Sequence, residues 1–590
     1  MNRFISMIAL CIFGTLLFQC KLRTDQPTTS NVAESVLRTE DVPLSKDPNR
    51  ILYQVYVRAF YDNPGNPDGT GDLTGLQNKL NYFKELGIDA ILLMPIVKNS
   101  GGMGYIPKDY FQVDPDYGNF DDFKKLSEAA RNLDIKIMVD LPLNHISDDS
   151  EWFKQGYRKN CSPQDSAYNP NNPNNVYCDF FYFVADPSHT YPYKNWHKPW
   201  RWNETTWEAV WYKAYNYNPQ YHRPEYYYAT FAQGMPDLKF WDFEKKTWNK
   251  NVVEKVDAAL KLWSSVGVDA FRVDAAKHFI EGTENNAAPA EPRNLEFLKN
   301  MLLKVRETNK SVSFAGEIWS DYGTIEQYFG PGMDMAFDFP FMETLRYALD
   351  KNDPGALKGI IEHFEAMQDR ITPGQRIVFA GNHDVTRLMT LWNDDEKKVR
   401  VAHFITLMTP YIPMIFYADE LGMHGKVKRP DNESNEEYVR TVYAFPWDGS
   451  QNGGFPGPQP WVGFSDNYKQ INLEKLKGDP QSLWHYVKNL IALRKKFPLN
   501  ENTTITLNRN VDQNILSYTM STPNGSGNSA QCRTVAINLN NQKTVKSWIS
   551  HIGEACKNQP SSTVQLSEGA SRENGNSFEF KPFGKVVLDN

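Results

Sequence analysis

From residue 51 onward the chain repeats one pattern: a short apolar run typical of a β-strand, then an amphipathic stretch typical of an α-helix. Strands that alternate with helices form parallel sheets, and eight such strands can close into a barrel. The sequence therefore predicts an α/β fold, a (β/α)8 TIM barrel, with its functional site where the loops after the strands gather. The predicted strands are 52–60, 90–95, 135–141, 270–274, 313–317, 335–339, 377–380 and 413–417.

Two regions depart from this pattern. Residues 146–240, after the third strand, are too long for one connection and are dense in Trp, Tyr, Asn and Pro, which predicts an inserted subdomain. Residues 496–590 change to short alternating strands broken by Asn, Gly and Ser, which predicts a C-terminal antiparallel β-sandwich. The barrel then comprises residues 49–145 and 241–495.

The N-terminus has the layout of a secretory signal: a basic residue, an apolar run at 4–18, then Gln19 and Cys20. Residues 17–20 resemble a bacterial lipobox, although Gln19 replaces the usual small residue. We expect a lipoprotein signal over the first twenty residues, lipidation of Cys20 and a flexible tether over 21–48. The protein would then be exported and anchored to a membrane, periplasmic or at the cell surface. The alternative is a plain signal peptide with an incidental cysteine.

Four cysteines remain once the signal and the acylated Cys20 are set aside. An even number in an oxidising compartment predicts disulfides. Local pairing is the simplest connectivity, Cys161 with Cys178 and Cys532 with Cys556.

The charge of the chain limits the class of partner. A net charge of -7 is mild for 590 residues, and no Lys/Arg block stands out. This argues against nucleic acid or an anionic membrane surface as the main partner and favours a neutral ligand. We expect the protein to be a monomer.

Four motifs end apolar runs with a carboxylate: 140–145 (DLPLNH), 271–278 (FRVDAAKH), 316–319 (GEIW) and 380–384 (AGNHD). Side chains at the C-terminal ends of different barrel strands converge on one pocket, so these carboxylates can act together. This layout is typical of a site that cleaves glycosides.

The second motif supplies a candidate nucleophile. Arg272 and Asp274 are two apart on a strand, so both side chains lie on one face, and the guanidinium favours ionised Asp274. A buried Arg/Asp ion pair without catalysis is the alternative. Glu317 follows a strand beside apolar surface, which predicts a raised pKa and a role as general acid. An ordinary loop glutamate is its alternative.

The other two motifs supply polar groups around the same pocket. Asn144 and His145 follow the third strand, and His383 and Asp384 follow the seventh. Imidazoles can donate to sugar hydroxyls, and a third carboxylate can stabilise an oxocarbenium-like transition state. A single histidine at such a position would have a structural role. The prediction therefore depends on the placement of several polar residues at neighbouring strand ends.

Together these motifs resemble glycoside hydrolase family 13, the α-amylase family, over about residues 50–590. Accessory segments match as well: 87–95 (GIDAILLMP), 235–239 (MPDLK) and 412–420 (IPMIFYADE). So many ordered matches are more specific than any one of them. The MPDLK segment resembles bacterial α-amylases intermediate between oligo-1,6-glucosidases and neopullulanases, with Lys239 in place of the usual Asn.

The resemblance implies a retaining double displacement in which Asp274 is the nucleophile, Glu317 the acid/base and Asp384 the transition-state stabiliser. It implies an α-linked glucan as substrate: starch, glycogen or malto-oligosaccharides. Tyr105 would stack beneath the reacting sugar. The implied sugar-binding residues are Tyr105, Asn144, His145, Arg272, Lys277, His278 and His383.

Two features favour cleavage of α-1,4 bonds. Ala275 stands where family members that act on α-1,6 bonds often carry Val, and Lys277-His278 resembles the pair that α-amylases use beyond the scissile bond. A transglycosylase, an α-glucosidase, or a trehalose- or sucrose-acting relative is the alternative enzyme. A non-catalytic sugar-binding or transporter-associated lipoprotein is a third interpretation, but such relatives usually lose the carboxylates that this chain keeps.

Residues 62–72 (DNPGNPDGTGD) could bind calcium. Oxygen side chains recur at intervals suited to a hard cation, with Asn66, Asp68 and Asp72 as the predicted ligands. Two prolines alter the spacing found in the family's loop, which argues against Asp62 as a calcium ligand. The alternative is a Gly/Pro/Asp-rich turn without metal.

Overall fold

The structure is a computed structural model of the chain. The residues that it describes are 42–158, 161, 173–184, 211–214, 226–243, 245–280, 292–330, 332–427, 441–524, 530–553, 556 and 563–590. The predicted signal, the lipidation site Cys20 and most of the tether lie outside these residues and stay predictions. Within the described residues, none of the helices combines the length and the apolar character needed to cross a bilayer.

Eight parallel strands close into a barrel, which confirms the predicted fold. Each strand pairs with the next, and the eighth pairs with the first. The first strand is shorter than predicted, because the chain turns into a 3-10 helix at Val57–Ala59. The strands are β1 Leu52–Val55, β2 Ala90–Leu93, β3 Lys136–Leu141, β4 Ala270–Val273, β5 Ser313–Gly316, β6 Met335–Phe337, β7 Arg376–Phe379 and β8 Ile412–Phe416.

Helices connect the strands, and side-chain caps fix where several of them begin. Asn119, Ser150, Asn249 and Asp338 each accept a backbone N–H of the first helical turn. The α-helices are Leu73–Asn78, Leu80–Leu86, Phe120–Asn132, Glu151–Gly156, Lys250–Ser265, Pro292–Arg306, Tyr322–Ile325, Phe339–Lys351, Pro354–Met367, Leu388–Leu391, Glu396–Leu407, Tyr468–Ile471, Leu473–Lys477 and Leu483–Lys495. Short 3-10 helices lie at Leu44–Lys46, Val57–Ala59, Gly102–Gly104, Pro173–Asp179 and Pro373–Gln375.

The barrel interior is a packed apolar core. Side chains that alternate along the strands, such as Leu52, Met138, Ala270 and Ile377, fill it. Leu44 belongs to the same cluster and is only 1% exposed. The segment predicted as a tether is therefore packed against the barrel at Leu44, because burial removes this apolar side chain from water.

The predicted subdomain lies between β3 and β4. Its described part contains a three-stranded antiparallel sheet and the predicted disulfide between Cys161 and Cys178. The Trp/Tyr-rich stretch lies mostly outside the described residues, but Trp211 is buried against Tyr228. Small strands of this region and of the β2–β3 connection are Val97–Asn99, Pro107–Val113, Phe183–Val184, Trp211–Lys213, Tyr226–Tyr228, Trp241–Asp242 and Thr247–Trp248.

The C-terminal region is antiparallel, as predicted, and its strands join in one hydrogen-bonded sheet. The last strand is long enough to pair with three others, and a bulge between Glu568 and Ala570 interrupts the pairing. The predicted disulfide between Cys532 and Cys556 is present. The strands are Thr504–Leu507, Ile515–Pro523, Ala530–Asn538, Val545–Trp548, Thr563–Arg572 and Ser577–Asp589.

Candidate active site

Strand register brings three of the predicted site residues together. Arg272 on β4 is paired with Asp140 on β3, so their side chains are neighbours inside the barrel. Val273 is paired with Gly316 on β5, so the residues that follow, Asp274 and Glu317, lie side by side at the strand ends. Three adjacent parallel strands thus deliver three carboxyl groups and one guanidinium to the same place.

The Arg272 guanidinium is the centre of this group. Its Nη1 donates to Asp140 at 2.6 and 2.7 Å and to Asp274 Oδ1 at 2.8 Å. Its Nη2 lies 3.1 Å from Glu317 Oε2. All four side chains are largely shielded from solvent. One cation therefore offsets the desolvation of three acidic groups.

The backbone after the nucleophile candidate also contacts Glu317. Ala275 has a φ of 50°, in the left-handed region that non-glycine residues rarely adopt. In this conformation its N–H donates to Glu317 Oε2 at 2.9 Å. Such a rare backbone conformation at a strand end is typical of functional sites.

The protonation of the two carboxyls differs from the sequence-based expectation. Burial and the adjacent Glu317 raise the pKa of Asp274 well above its usual value. Burial opposes ionisation of Glu317 as well, but Arg272 and the Ala275 amide outweigh it and hold the pKa of Glu317 below its usual value. The expectation that apolar surface raises the pKa of Glu317 is therefore wrong, because these two donors stabilise its ionised form.

The third carboxylate follows β7. Asp384 accepts a hydrogen bond from Asn382 Nδ2 at 3.1 Å and lies 3.3 Å from His383 Nε2. Burial and the charge of Glu317 raise the pKa of Asp384 to about 7. Gln54 Nε2 donates to His383 Nδ1 at 3.1 Å, which leaves the proton of the neutral imidazole on Nε2, facing Asp384. Burial and Arg272 lower the pKa of His383 to about 3, so this ring is neutral.

Tyr105 and His145 complete the floor of the pocket. The Tyr105 ring is stacked on the His383 ring, with centroids 5.1 Å apart and planes 8° apart, and its hydroxyl donates to Asp140 at 2.7 Å. His145 Nε2 donates to the Tyr105 carbonyl at 2.9 Å, and burial lowers the pKa of His145 to about 4. Tyr105 thus lies beside His383 and Asp140, and its stacking beneath a sugar stays a prediction.

Buried polar atoms at this pocket lack partners in the part of the chain that the structure describes. They are Gln54 Oε1, Asn144 Nδ2 and His145 Nδ1. A buried donor or acceptor without a hydrogen bond costs about 1–3 kcal/mol, so such atoms mark places where a ligand or water binds.

Lys277 and His278 extend the site beyond β4. Lys277 Nζ donates to the carbonyl of Trp319, two residues past Glu317, at 2.8 Å. The His278 ring contacts Phe231 edge to face, with centroids 5.3 Å apart. This places the predicted Lys-His pair on the Glu317 side of the pocket, where a leaving group would lie.

Comparison with known proteins decides the family. Residues 54–502 match the family described as "Alpha amylase, catalytic domain". The chain belongs to the α-amylase family, glycoside hydrolase family 13. It is a glycoside hydrolase, and the match spans the barrel and every residue of the site.

The relatives of this α-amylase-family enzyme carry names for different activities. The chain is 30% identical to "Alpha-amylase 3" of Dictyoglomus thermophilum over 80% of this chain and 82% of the relative. It is 28% identical to "Oligo-1,6-glucosidase" of Parageobacillus thermoglucosidasius over 80% of this chain and 87% of the relative. The crystal structure of the α-amylase from H. orenii superposes with a TM-score of 0.71 at 26% identity, covering 92% of this chain and all of that one.

The sequence analysis did not identify two residues that line the active site. Gln54 is a polar residue in the otherwise apolar strand β1, and its burial could have been inferred from that position. Phe231 is 43% exposed and contacts both His145 and His278. No periodic signal distinguishes Phe231 from the other aromatic residues of the inserted subdomain, so only the fold identifies it.

The predicted calcium loop is closed by Asp62. Its carboxylate accepts the backbone N–H groups of Asn63, Asp68 and Gly69 at 2.7–2.9 Å. Of the predicted ligands, Asp68 accepts from Thr70 N–H at 2.8 Å, and Asp72 caps a helix. Across the described ranges, no group of three or more His, Cys, Asp or Glu side chains is arranged to hold a metal ion. Calcium at this loop, through Asn66, Asp68 and Asp72, stays a prediction.

Thermal melting tests that prediction. Burial, Asp62 and Asp68 all raise the pKa of Asp72, to about 6, although Gly75 N–H lowers it, so a cation would relieve repulsion in this loop. Calcium at 100 times its Kd is then expected to stabilise the fold by about 2.7 kcal/mol. The melting temperature would rise with calcium in the wild type and less in Asp68→Asn. Equal melting in calcium and in EDTA would contradict the prediction.

A pH prediction follows from Asn382. Its hydrogen bond favours the charged form of Asp384, so replacing Asn382 by Ala raises the pKa of Asp384 further. If Asp384 must be ionised, the acid limb of the kcat/KM profile moves to higher pH by up to about one unit. The surface variant Asn574→Ala should leave the profile in place. An acid limb that stays fixed in Asn382→Ala would show that a different group controls it.

Proposed function

We propose that the enzyme hydrolyses α-1,4-glucosidic bonds of starch, glycogen or malto-oligosaccharides with retention of configuration. The observation that carries this proposal is the bonding of Asp140, Asp274 and Glu317 to the single guanidinium of Arg272, with Asp384 beside them. Two adjacent carboxyls and a third acid in one sheltered pocket are the groups that a double displacement needs.

The first step requires an ionised Asp274 and a protonated Glu317. Asp274 and Glu317 follow paired residues of adjacent strands, so the two carboxyls are neighbours at the strand ends. As a sugar enters, ionised Asp274 attacks the anomeric carbon while Glu317 protonates the leaving oxygen. The bond to the leaving sugar breaks, and a glycosyl ester on Asp274 forms.

The second step releases the sugar. Glu317, now ionised and held by Arg272 and the Ala275 amide, takes a proton from water, and the water oxygen attacks the anomeric carbon. Asp274 leaves as a carboxylate. Asp384, when ionised, stabilises the positive charge that develops on the sugar ring in both steps.

Two features support α-1,4 bonds over α-1,6 bonds. Ala275 is small and buried directly after the nucleophile, where α-1,6-acting family members often carry Val. Lys277 and His278 stand beside the leaving-group side, as in α-amylases. The name of the 30% identical relative, an α-amylase, agrees with this choice.

Product analysis tests the proposal. The protein without residues 1–20 is incubated with soluble starch, maltotriose, pullulan, isomaltose and sucrose, and the products are separated by anion-exchange chromatography. We expect malto-oligosaccharides from starch and little or no glucose from isomaltose. Asp274→Asn serves as the inactive reference, and products that persist in it would come from a contaminating enzyme.

Other product patterns would point to the alternatives. Chains longer than the substrate, formed from maltotriose, would indicate a transglycosylase, because the same glycosyl-enzyme can be attacked by a sugar hydroxyl. Turnover confined to isomaltose or sucrose would indicate an α-glucosidase-type or sucrose-acting enzyme. No turnover of any substrate by folded protein would refute hydrolysis and favour a sugar-binding role.

A further inference from the structure

One arginine outside the pocket joins the two ends of the loop after β7. Arg346 lies on the helix Phe339–Lys351. Its Nη1 donates to the carbonyl of Ala380 at 3.1 Å, and its Nη2 donates to the carbonyl of Thr386 at 2.7 Å. The segment between these two contacts, which we call the β7 loop, carries Asp384. A single guanidinium therefore spans the whole loop.

Within the β7 loop, Asp384 is bonded to its own neighbour. Asn382 Nδ2 donates to the Asp384 carboxylate at 3.1 Å, and the Asp384 N–H donates to Asn382 Oδ1 at 3.0 Å. The two residues move as one unit, so the place of the carboxylate in the pocket depends on what holds the loop. The Thr441 hydroxyl holds its middle, donating to the His383 carbonyl at 2.8 Å, and Arg346 holds both ends.

The loop backbone also packs on charged groups. A Cβ added to Gly381 would lie 3.6 Å from Arg346 Nη1 and 3.5 Å from Asp419 Oδ2. Asp419 is itself held by Arg387, whose Nη1 donates to its Oδ1 at 2.7 Å. The groups that support the loop are therefore fixed by hydrogen bonds of their own.

The bonding of Arg346 favours a role in placing this loop over simple packing. Burial lowers the pKa of Arg346 to about 10, although the charge of Asp419 opposes this shift, so the side chain is a cation at neutral pH. Taking a cation out of water costs free energy that an apolar side chain of similar size would avoid. What an apolar side chain cannot do is donate to two carbonyls at once, which the planar fork of a guanidinium allows.

We propose that Arg346 is a positioning residue for the reaction: by holding both ends of the β7 loop, it fixes Asp384 relative to Asp274 and Glu317. Its hydrogen bonds go to the loop backbone, so it acts on the reaction through Asp384 and is not itself a catalytic residue. Precise placement matters because a charge stabilises the transition state only at the right distance. The inference rests on the proposed function for the role of Asp384.

Hydrogen exchange measured by mass spectrometry tests the contact without any turnover. Arg346→Lys keeps the positive charge but replaces the two-pronged donor by a single ammonium. We expect peptides that cover the β7 loop to exchange about tenfold faster in this variant than in the wild type, because the loop opens more easily. Unchanged exchange of these peptides would overturn the proposal.

Kinetics test the consequence for the reaction. In Arg346→Lys, kcat on starch should fall about 10- to 100-fold, since a displacement near 1 Å can cost that much. A loosened loop admits water to Asp384, and burial is the main cause of its pKa of about 7, so the acid limb of the kcat/KM profile should move to lower pH. The charged groups that face Asp384, Glu317 and Arg272, are the same in this variant. Faster loop exchange with wild-type kcat and an unmoved acid limb would overturn the positioning role.

Arg494 gives a matched control at the other end of the barrel strands. It is 2% exposed and likewise donates to backbone carbonyls, those of Pro48, Leu407, Thr409 and Tyr411. Arg494→Lys should lower the melting temperature but keep the wild-type exchange of the β7 loop, the wild-type kcat and the acid limb. Equal losses of kcat per folded protein in the two variants would indicate general destabilisation and overturn the proposal. A wild type without turnover would refute the proposed function, whereas the exchange result would still report on the contact.

Discussion

Replacing Asp274 by Asn is expected to lower kcat on starch by about 10³-fold or more while the fold is kept. The amide cannot form the glycosyl ester, so the double displacement loses its first covalent step. Asn has nearly the shape of Asp and can still accept a hydrogen bond from Arg272 Nη1, which now lies 2.8 Å from Asp274. Reducing-sugar release at saturating starch measures the loss.

Stability provides an independent check on this variant. The pKa of Asp274 is raised in the folded protein, mainly by burial, whereas an unfolded Asp titrates near ~3.9. The wild type therefore loses stability as the pH rises from about 4 to the raised pKa, and the Asn variant avoids that part of the loss. We expect the melting temperature of Asp274→Asn, relative to wild type, to increase with pH over this range.

A surface variant separates catalysis from general effects of an Asp-to-Asn change. Asp369 is exposed on the barrel surface, and Asp369→Asn should keep wild-type kcat and melting behaviour. If Asp274→Asn retained more than about a tenth of wild-type kcat, the nucleophile assignment would be wrong.

Much of this site could be predicted because barrel geometry turns sequence position into spatial position. Asp274 and Glu317 are the last residues of predicted strands and Asp384 lies shortly after another, and parallel strands end at one face. Arg272 could be placed beside Asp274 from the two-residue period of a strand. These inferences need only the strand ends, which the apolar runs mark well.

The remaining features depend on contacts between distant segments. The low pKa of Glu317 arises from Arg272 on the adjacent strand and from the Ala275 amide, whose direction is set by a rare φ. Asp62 closes its loop because three backbone N–H groups turn toward it, which side-chain spacing does not reveal. Leu44 packs on the barrel core although it lies in a segment whose composition predicts a flexible tether. Each outcome is a matter of tertiary geometry, where local pattern carries little information.

Replacing Arg272 by Met is expected to cost about 3–5 kcal/mol of unfolding free energy and to abolish starch hydrolysis. Met fills a similar volume, so the loss comes from charge. Without the guanidinium, Asp140, Asp274 and Glu317 are buried carboxyls with no counter-ion between them. Urea unfolding monitored by tryptophan fluorescence measures the change, and the exposed Arg370→Met should show little.

The pH dependence distinguishes lost charge from lost packing. Arg272 lowers the pKa of Asp140, Asp274 and Glu317, so its removal raises all three. Carboxyls with raised folded pKa values destabilise the protein at high pH, and the deficit shrinks as they take up protons. The cost of Arg272→Met should therefore be large at about pH 8 and smaller at about pH 5. A packing defect would cost the same at both pH values. Arg272→Lys keeps the charge but cannot bond to three carboxyls in one plane, so it should recover stability better than it recovers activity.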